Sequence, residues 1–262
     1  MHSMQHLRVP FAIQPLVEGY QFQRIRMGES AACVFRLSGL GQRPLFLKCA
    51  VAGSDAALSE EAERLRWLVG RAPVPDVIAF LAEGDWEYLL VGALPGRNGV
   101  DAGREHPTAV VAGLADALRL LHAQPFIGCP FDQSLDAQIE RARHRVEAGM
   151  VDEGDFDEEH GGRTAVELLI DVEKHRPTLE DKVLTHGDAC LPNVIFEGDR
   201  FIGFIDCSRA GLADRYQDLA LASRSIARNL GPHWIKPFFA YYGLPEPDES
   251  RLVYYRLLDE FF

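Results

Sequence analysis

The chain has 262 residues, 47% hydrophobic and 25% charged, with a formal net charge of −12. That length can bury a sizeable core and sits where one domain commonly splits into two lobes. The acidic balance excludes a nucleic-acid binder, which needs a basic surface, and no uncharged apolar run reaches the roughly 18 residues of a membrane span. Residues 1–10 lack the charged-then-apolar pattern of a secretory signal. Five scattered cysteines (Cys33, Cys49, Cys129, Cys190 and Cys207) form no Cys-x-x-Cys pair, which points to the reduced thiols of a cytoplasmic protein and away from zinc. The charge is unevenly placed. Residues 1–94 hold 9 Lys/Arg and 10 Asp/Glu, and residues 95–262 hold 18 and 29, so net charges of −1 and −11 divide the chain. An acidic second half serves solubility, and it would also attract a cationic small molecule.

Short strands dominate the beginning. Residues 32–37 and 45–49 are apolar-rich and separated by Gly39, Gly41 and Pro44, which predicts a hairpin. Ser54 or Asp55 can cap a helix running to about Val69, with Gly70 as its stop. Residues 77–81 and 86–91 read as two further strands. Leu94-Pro95-Gly96 breaks the pattern and marks the expected boundary between a lobe of residues 1–94 and one of residues 95–262. Beyond it, apolar residues at 110, 111, 114, 118 and 121 predict an amphipathic helix over 108–123. Helices are also expected over 133–147 and 164–174, with an acidic loop between them. Short strands at 183–184, 194–196 and 201–205 frame the most informative residues. Helices follow at 215–229 and 232–242, and a last one begins at a candidate cap, Asp248. A small β-rich lobe followed by a larger α-rich lobe is an α+β layout of the protein kinase-like kind.

The chemistry concentrates in Thr185-His186-Gly187-Asp188-Ala189-Cys190-Leu191-Pro192-Asn193 and Phe204-Ile205-Asp206. An aspartate, an asparagine five positions later and a second aspartate ending an apolar strand make the polar kit of an ATP-dependent phosphotransferase. One carboxylate (Asp188) can orient and deprotonate an attacking hydroxyl, while the amide oxygen of Asn193 and the carboxylate of Asp206 hold Mg²⁺ on the nucleotide phosphates. His186 is expected to pack and hydrogen-bond, and Asp218 to tie down the catalytic loop. A lone lysine at a strand end is usually a solvated one. Lys48, however, has a candidate partner: Leu58, Leu65, Leu68 and Val69 form one helical stripe, and Glu61 falls within it while Glu60 and Glu63 point away. A carboxylate on a buried face needs a partner, and a strand lysine held by a helix glutamate is the arrangement that contacts nucleotide phosphates. Residues 27–32 could cover phosphates with backbone amides and the Ser30 hydroxyl, although they are neither a kinase glycine loop nor a Walker A loop.

Taken together, Thr185–Asn193, Phe204–Asp218 and the ending Tyr255–Phe262 resemble the aminoglycoside 3′-phosphotransferases, bacterial antibiotic-resistance kinases, over nearly the whole chain. The first motif is shared with choline, homoserine and fructosamine kinases, and the ending is far narrower. The resemblance implies ATP and Mg²⁺ as cofactors, Asp188 as base, and Asn193 and Asp206 as metal ligands. It implies Lys48, held by Glu61, on the nucleotide phosphates, Ser30 at the β-phosphate, Phe46 stacked on adenine, and the backbone from Gly92 to Leu94 at the adenine edge. Asp259, Glu260 and the terminal carboxylate of Phe262 would bind substrate ammonium groups, with Arg209 and Arg224 ordering them and Asp157, Glu158 and Glu159 closing over the antibiotic. A monomer acting on a small-molecule aminoglycoside is implied. The chain departs from the family at Arg228 and Asn229, where acidic residues commonly follow Arg224, so a narrower or shifted substrate range is expected. Two other readings stand beside this one: a metabolic kinase of another amino-sugar or amino-alcohol, and a non-catalytic pseudokinase scaffold.

Overall fold

The computed structural model describes residues 9–25, 32–54 and 58–262. These divide at Leu94/Pro95 into two compact units, except that Gly70–Pro73 belongs with the second. Ser30 and Asp55 lie outside the described residues.

In the first unit, β1 (Gln21–Ile25), β2 (Cys33–Ser38), β3 (Leu45–Val51), β4 (Val77–Glu83) and β5 (Trp86–Gly92) form an antiparallel sheet of order β1-β2-β3-β5-β4. Alternation along β3 decides its two faces. Leu45, Leu47 and Cys49 join Leu37, Tyr88 and Leu90 in a core that Ile13 and Val17 cover from the preceding turn. Phe46 and Lys48 therefore share the opposite face. Helix α1 (Leu58–Leu68) buries Leu58, Ala62, Leu65 and Leu68, and Glu61 with them. Val69 is 60% exposed and lies past the helix, so it drops out of the predicted stripe. The hydroxyl of Ser54, a candidate cap, donates to the Val51 carbonyl at 2.6 Å. The amides of Leu58 and Ser59 donate to Glu87 of β5, at 2.7 and 3.1 Å. A carboxylate distant in sequence thus satisfies two first-turn amides and complements the positive end of the helix.

The second unit contains β6 (Arg97–Asn98), α2 (Gly99–Glu105), α3 (Pro107–His122), α4 (Leu135–Glu147), α5 (Ala165–Lys174), β7 (Lys182–Thr185), β8 (Val194–Glu197), β9 (Arg200–Phe204), β10 (Gly211–Asp214), α6 (Arg215–Leu230), α7 (Ile235–Tyr242) and α8 (Glu249–Asp259). A 3₁₀ turn over Pro232–Trp234 splits off the start of the helix expected from Pro232. β7 pairs antiparallel with β10, and β6, β8 and β9 form a three-stranded sheet. α6 is buried around most of its circumference, including Gln217, Asp218 and Ser223, which marks it as a core helix. Its first turn is capped by Asp214, which accepts from the Tyr216 amide at 2.9 Å. Thr164 and Glu167 complete a capping box on α5, and Asp248 caps α8. None of the described helices is long and apolar enough to cross a membrane.

Candidate active site

Two β-pairings assemble the residues of the second unit. β7 ends at Thr185 directly opposite Gly211, the first residue of β10, so the segment 186–193 leaves the sheet beside Arg209 and Ala210. The β8–β9 register sets Val194 opposite Phe204, and the Ile205 amide donates to the Asn193 carbonyl at 2.9 Å. Asn193 and Asp206, thirteen positions apart, are thereby brought to one end of the hairpin.

Asp218 of α6 fixes the loop before Asp188. It accepts from the His186 and Gly187 amides, both at 2.8 Å, and from His122 Nε2 at 3.0 Å. Burial alone would raise this carboxyl, but His122 and the amides outweigh it and hold Asp218 below the ordinary carboxylate range. Gly187 has a φ of 88°, and a Cβ there would overlap the carbonyl of Arg209. Glycine is thus required immediately before Asp188 by conformation and by close approach. The Asp188 amide donates to His186 Nδ1 at 3.2 Å, so His186 carries its proton on Nε2, 3.0 Å from the Ile205 carbonyl.

Asp188 accepts from Asn193 Nδ2 through its Oδ2 at 2.7 Å and through its carbonyl at 3.1 Å. A carboxylate only accepts, so the Asn193 amide must turn its nitrogen to Asp188, leaving Oδ1 for a cation. Asp206 stands at φ 59°, the single positive-φ residue other than glycine among those described. Such strained backbone concentrates at functional sites. Among the described residues, no three His, Cys, Asp or Glu side chains gather into a metal cage. One carboxylate and one amide oxygen suit Mg²⁺, which takes few protein ligands and completes its shell with waters and phosphates. Burial pushes the Asp188 carboxyl above the ordinary carboxylate range; the Arg209 guanidinium opposes this, and Asp259 adds to it.

The substrate-side candidates are already engaged with one another. Asp259 pairs with Arg209 at 2.7 Å and with Arg224. Asp157 pairs with Arg224 at 3.1 Å and with Arg228. Glu260 accepts from the Asp157 amide and faces His160 Nδ1 at 2.8 Å. Burial would raise the Asp157 carboxyl, and the two arginines more than reverse that. Glu158 and Glu159 sit on an exposed 3₁₀ turn. Arg209 also lies over the Phe262 ring, 5.1 Å from its centroid. Sequence reading missed His160 and the Arg228–Asp157 pair, because each links residues more than seventy positions apart with no local signal.

In the first unit, Lys48 Nζ meets both oxygens of Glu61, at 2.7 and 2.8 Å, with both side chains largely shielded. Phe46 lies on the same face of β3. The amides of Gly92 and Ala93 are taken by the carbonyls of Asp76 and Pro44 at 3.0 Å each, which leaves neither of them for a ligand edge.

The family model described as the phosphotransferase enzyme family matches residues 21–253. An aminoglycoside 3′-phosphotransferase of Escherichia coli is 36% identical, with 93% of this chain and 91% of the relative covered. One from Streptomyces fradiae is 37% identical, with 93% and 96% covered. A streptomycin 3″-kinase of Streptomyces griseus is 32% identical, with 95% and 96% covered. Among solved structures, a type VIII aminoglycoside 3′-phosphotransferase superposes with a TM-score of 0.86 at 38% identity, covering 96% of this chain and 97% of its own. An aminoglycoside phosphotransferase of Streptomyces rimosus, in complex with ADP and streptomycin, gives a TM-score of 0.81 at 27% identity, with 95% of each chain covered. With family model, relatives and solved structures pointing the same way, the chain belongs to the phosphotransferase enzyme family, among the aminoglycoside 3′-phosphotransferases of kinase-like fold.

Proposed function

We propose that this protein transfers the terminal phosphoryl group of ATP to the 3′-hydroxyl of an aminoglycoside, with Asp188 as the base. The observation that carries the reading is the clamp on Asp188: Asp218 holds the two preceding amides, Asn193 holds its carboxylate, and Asp206 follows one residue beyond the Ile205–Asn193 bond. In this reading the substrate oxygen attacks the γ-phosphorus while the bond to the β–γ bridging oxygen breaks, and the hydroxyl proton passes to Asp188. Because charge in such a transition state is spread over phosphoryl oxygens, positioning and neutralisation supply most of the catalysis. Asn193 and Asp206 would hold Mg²⁺, which when bound neutralises charge on the phosphates. Lys48, kept in place by Glu61, would meet those phosphates too, with Phe46 of the same strand face against the base and Ser30 at the β-phosphate. Asp157, Asp259 and Glu260 would receive the ammonium groups of the antibiotic.

Phosphate transfer from ATP to kanamycin, with NMR location of the new phosphate, tests the reading. Product at the 3′-oxygen is expected, and Asp188→Ala should lower turnover by roughly 10²–10⁴-fold, the usual contribution of a general base. Absence of transfer to kanamycin and to related aminoglycosides, in protein that binds Mg·ATP, would overturn the substrate and favour a kinase of another cationic metabolite.

A further inference from the structure

A surface cavity of about 430 Å³ lies in the second unit, lined not by Asp188 or its neighbours in sequence but by Arg119 and His122 of α3, Asp181, Arg215 of α6, Tyr242 of α7 and Arg251 of α8. Three guanidinium groups and a single carboxylate converge there, in the half of the chain whose net charge is −11. Two of the three are built into the fold. Arg251 pairs with Asp214, which is completely buried, and lies 4.2 Å from the centroid of the Tyr216 ring. Arg215 pairs with Asp181 at 2.6 Å and donates to the Tyr242 hydroxyl at 3.1 Å. A guanidinium has five N–H donors, so each keeps donors beyond its fixed partner, and the shielded Nε of Arg251 meets no acceptor among the described residues. Arg119, paired with the surface residue Asp116, completes the rim. Planar forks of this kind match the paired oxygens of phosphate, which a spherical chloride ion does not offer.

The cavity is also wired to the catalytic loop. Arg215 can only donate to the Tyr242 hydroxyl, whose own proton then goes to His122 Nδ1 at 2.7 Å. His122 Nε2 faces Asp218 at 3.0 Å, and Asp218 accepts the His186 and Gly187 amides. We propose that this cavity binds a phosphate-type oxyanion, as the free ion or as the phosphoryl group of a small metabolite, and that its occupancy steadies the catalytic loop through Tyr242, His122 and Asp218. The proposal does not depend on which hydroxyl the enzyme phosphorylates.

Calorimetric titration of the full chain with inorganic phosphate and, separately, with glucose 6-phosphate tests it, at constant ionic strength held by chloride. One saturable site is expected, weakened about tenfold in Arg119→Ala, the loss of one charged hydrogen bond, and at least as much in Arg215→Gln. Saturation by inorganic phosphate alone identifies the free ion, and saturation by glucose 6-phosphate alone identifies a phosphorylated metabolite. No saturable heat from either titrant, or equal affinity in the wild type and Arg119→Ala, overturns the site. Arg119 is exposed, so that variant remains informative even where Arg215→Gln folds poorly. Hydrogen exchange of the His186 and Gly187 amides should slow in saturating ligand, and unchanged exchange would overturn the link to the loop.

Discussion

Asp206 occupies the left-handed region at φ 59°, which costs an ordinary L-residue roughly 1–2 kcal/mol but is tolerated better by Asp and Asn. It stands one residue after the Ile205–Asn193 bond, so on the proposed reading that backbone turn would aim the carboxylate toward the metal beside the Asn193 amide. Conformation and charge can be separated here. Asp206→Asn keeps a side chain that accepts the left-handed region and discards the charge, so Tm should hold to within about 2 °C while the Mg²⁺ required for transfer rises on the order of 10–100-fold. Asp206→Ala should lose the same Mg²⁺ affinity and in addition about 1 kcal/mol of stability, because alanine lacks that tolerance. Thermal melts alongside Mg²⁺ titrations of turnover distinguish the two. Equal Tm values for the variants would show that the backbone carries no strain, and unchanged Mg²⁺ dependence would remove Asp206 from the metal site.

α6 organises the second unit because one buried helix, capped by Asp214, presents Asp218, Arg224 and Arg228 to different neighbours. Asp218 faces the loop before Asp188, and Asp218→Ala strands two backbone amides and His122 in the interior. The expected cost is about 3–5 kcal/mol, that of breaking a buried charged cluster, together with loss of transfer activity; a loss below about 1 kcal/mol in denaturant melts would contradict the clamp. The folded-state carboxyl of Asp218 lies below its ordinary value, so its stabilisation is complete above the unfolded value near ~3.9 and is lost as pH falls through the lower folded value. One turn and more further on, Arg224 and Arg228 hold Asp157, and through the Asp157 amide and His160 the same segment is fastened to Glu260 at the end of α8. Arg228 is 56% exposed against 13% for Asp157, so the pair itself contributes little stability. On the proposed reading its consequence is competition: a substrate ammonium seeking Asp157 would meet a resident guanidinium. Arg228→Glu should therefore change the order of kcat/KM among aminoglycosides, favouring those with more ammonium groups, with Tm nearly unchanged. An identical substrate profile would exclude Arg228 as a determinant of range.

At the scale of the whole chain, local signals read well and non-local ones did not. Strands with clear alternation, the amphipathic α3 and the Asp248 cap were legible, and the spacing of Asp188, Asn193 and Asp206 is what carries the roles proposed for them. β6 and α2 were not: a two-residue strand has no period, and α2 contains Gly99 and Gly103, which argue against a helix. A Cβ at Gly103 would press on Leu230 and one at Gly99 on the Leu191 carbonyl, so tertiary packing overrides propensity there. The partners of the acidic residues were equally hidden, and they alter what the charge means. Composition suggests an open acidic surface, whereas Asp157, Asp259 and Glu260 are each met by arginine, histidine or a backbone amide. Short-range attraction for a polycation is thereby reduced, while the long-range field of the −11 half remains. The two are separable by salt, since the Debye length shrinks from ~30 Å at about 0.01 M to ~8 Å at about 0.15 M ionic strength. If the distant charge steers substrate, kcat/KM for a polycationic aminoglycoside should fall on the order of tenfold across that range, with kcat little changed. Arg228→Glu, by adding negative charge near Asp157, should steepen the fall. A flat salt profile in both proteins would mean that the acidic half serves solubility alone and that recognition begins only at contact, when the antibiotic displaces arginine from Asp157 and Asp259.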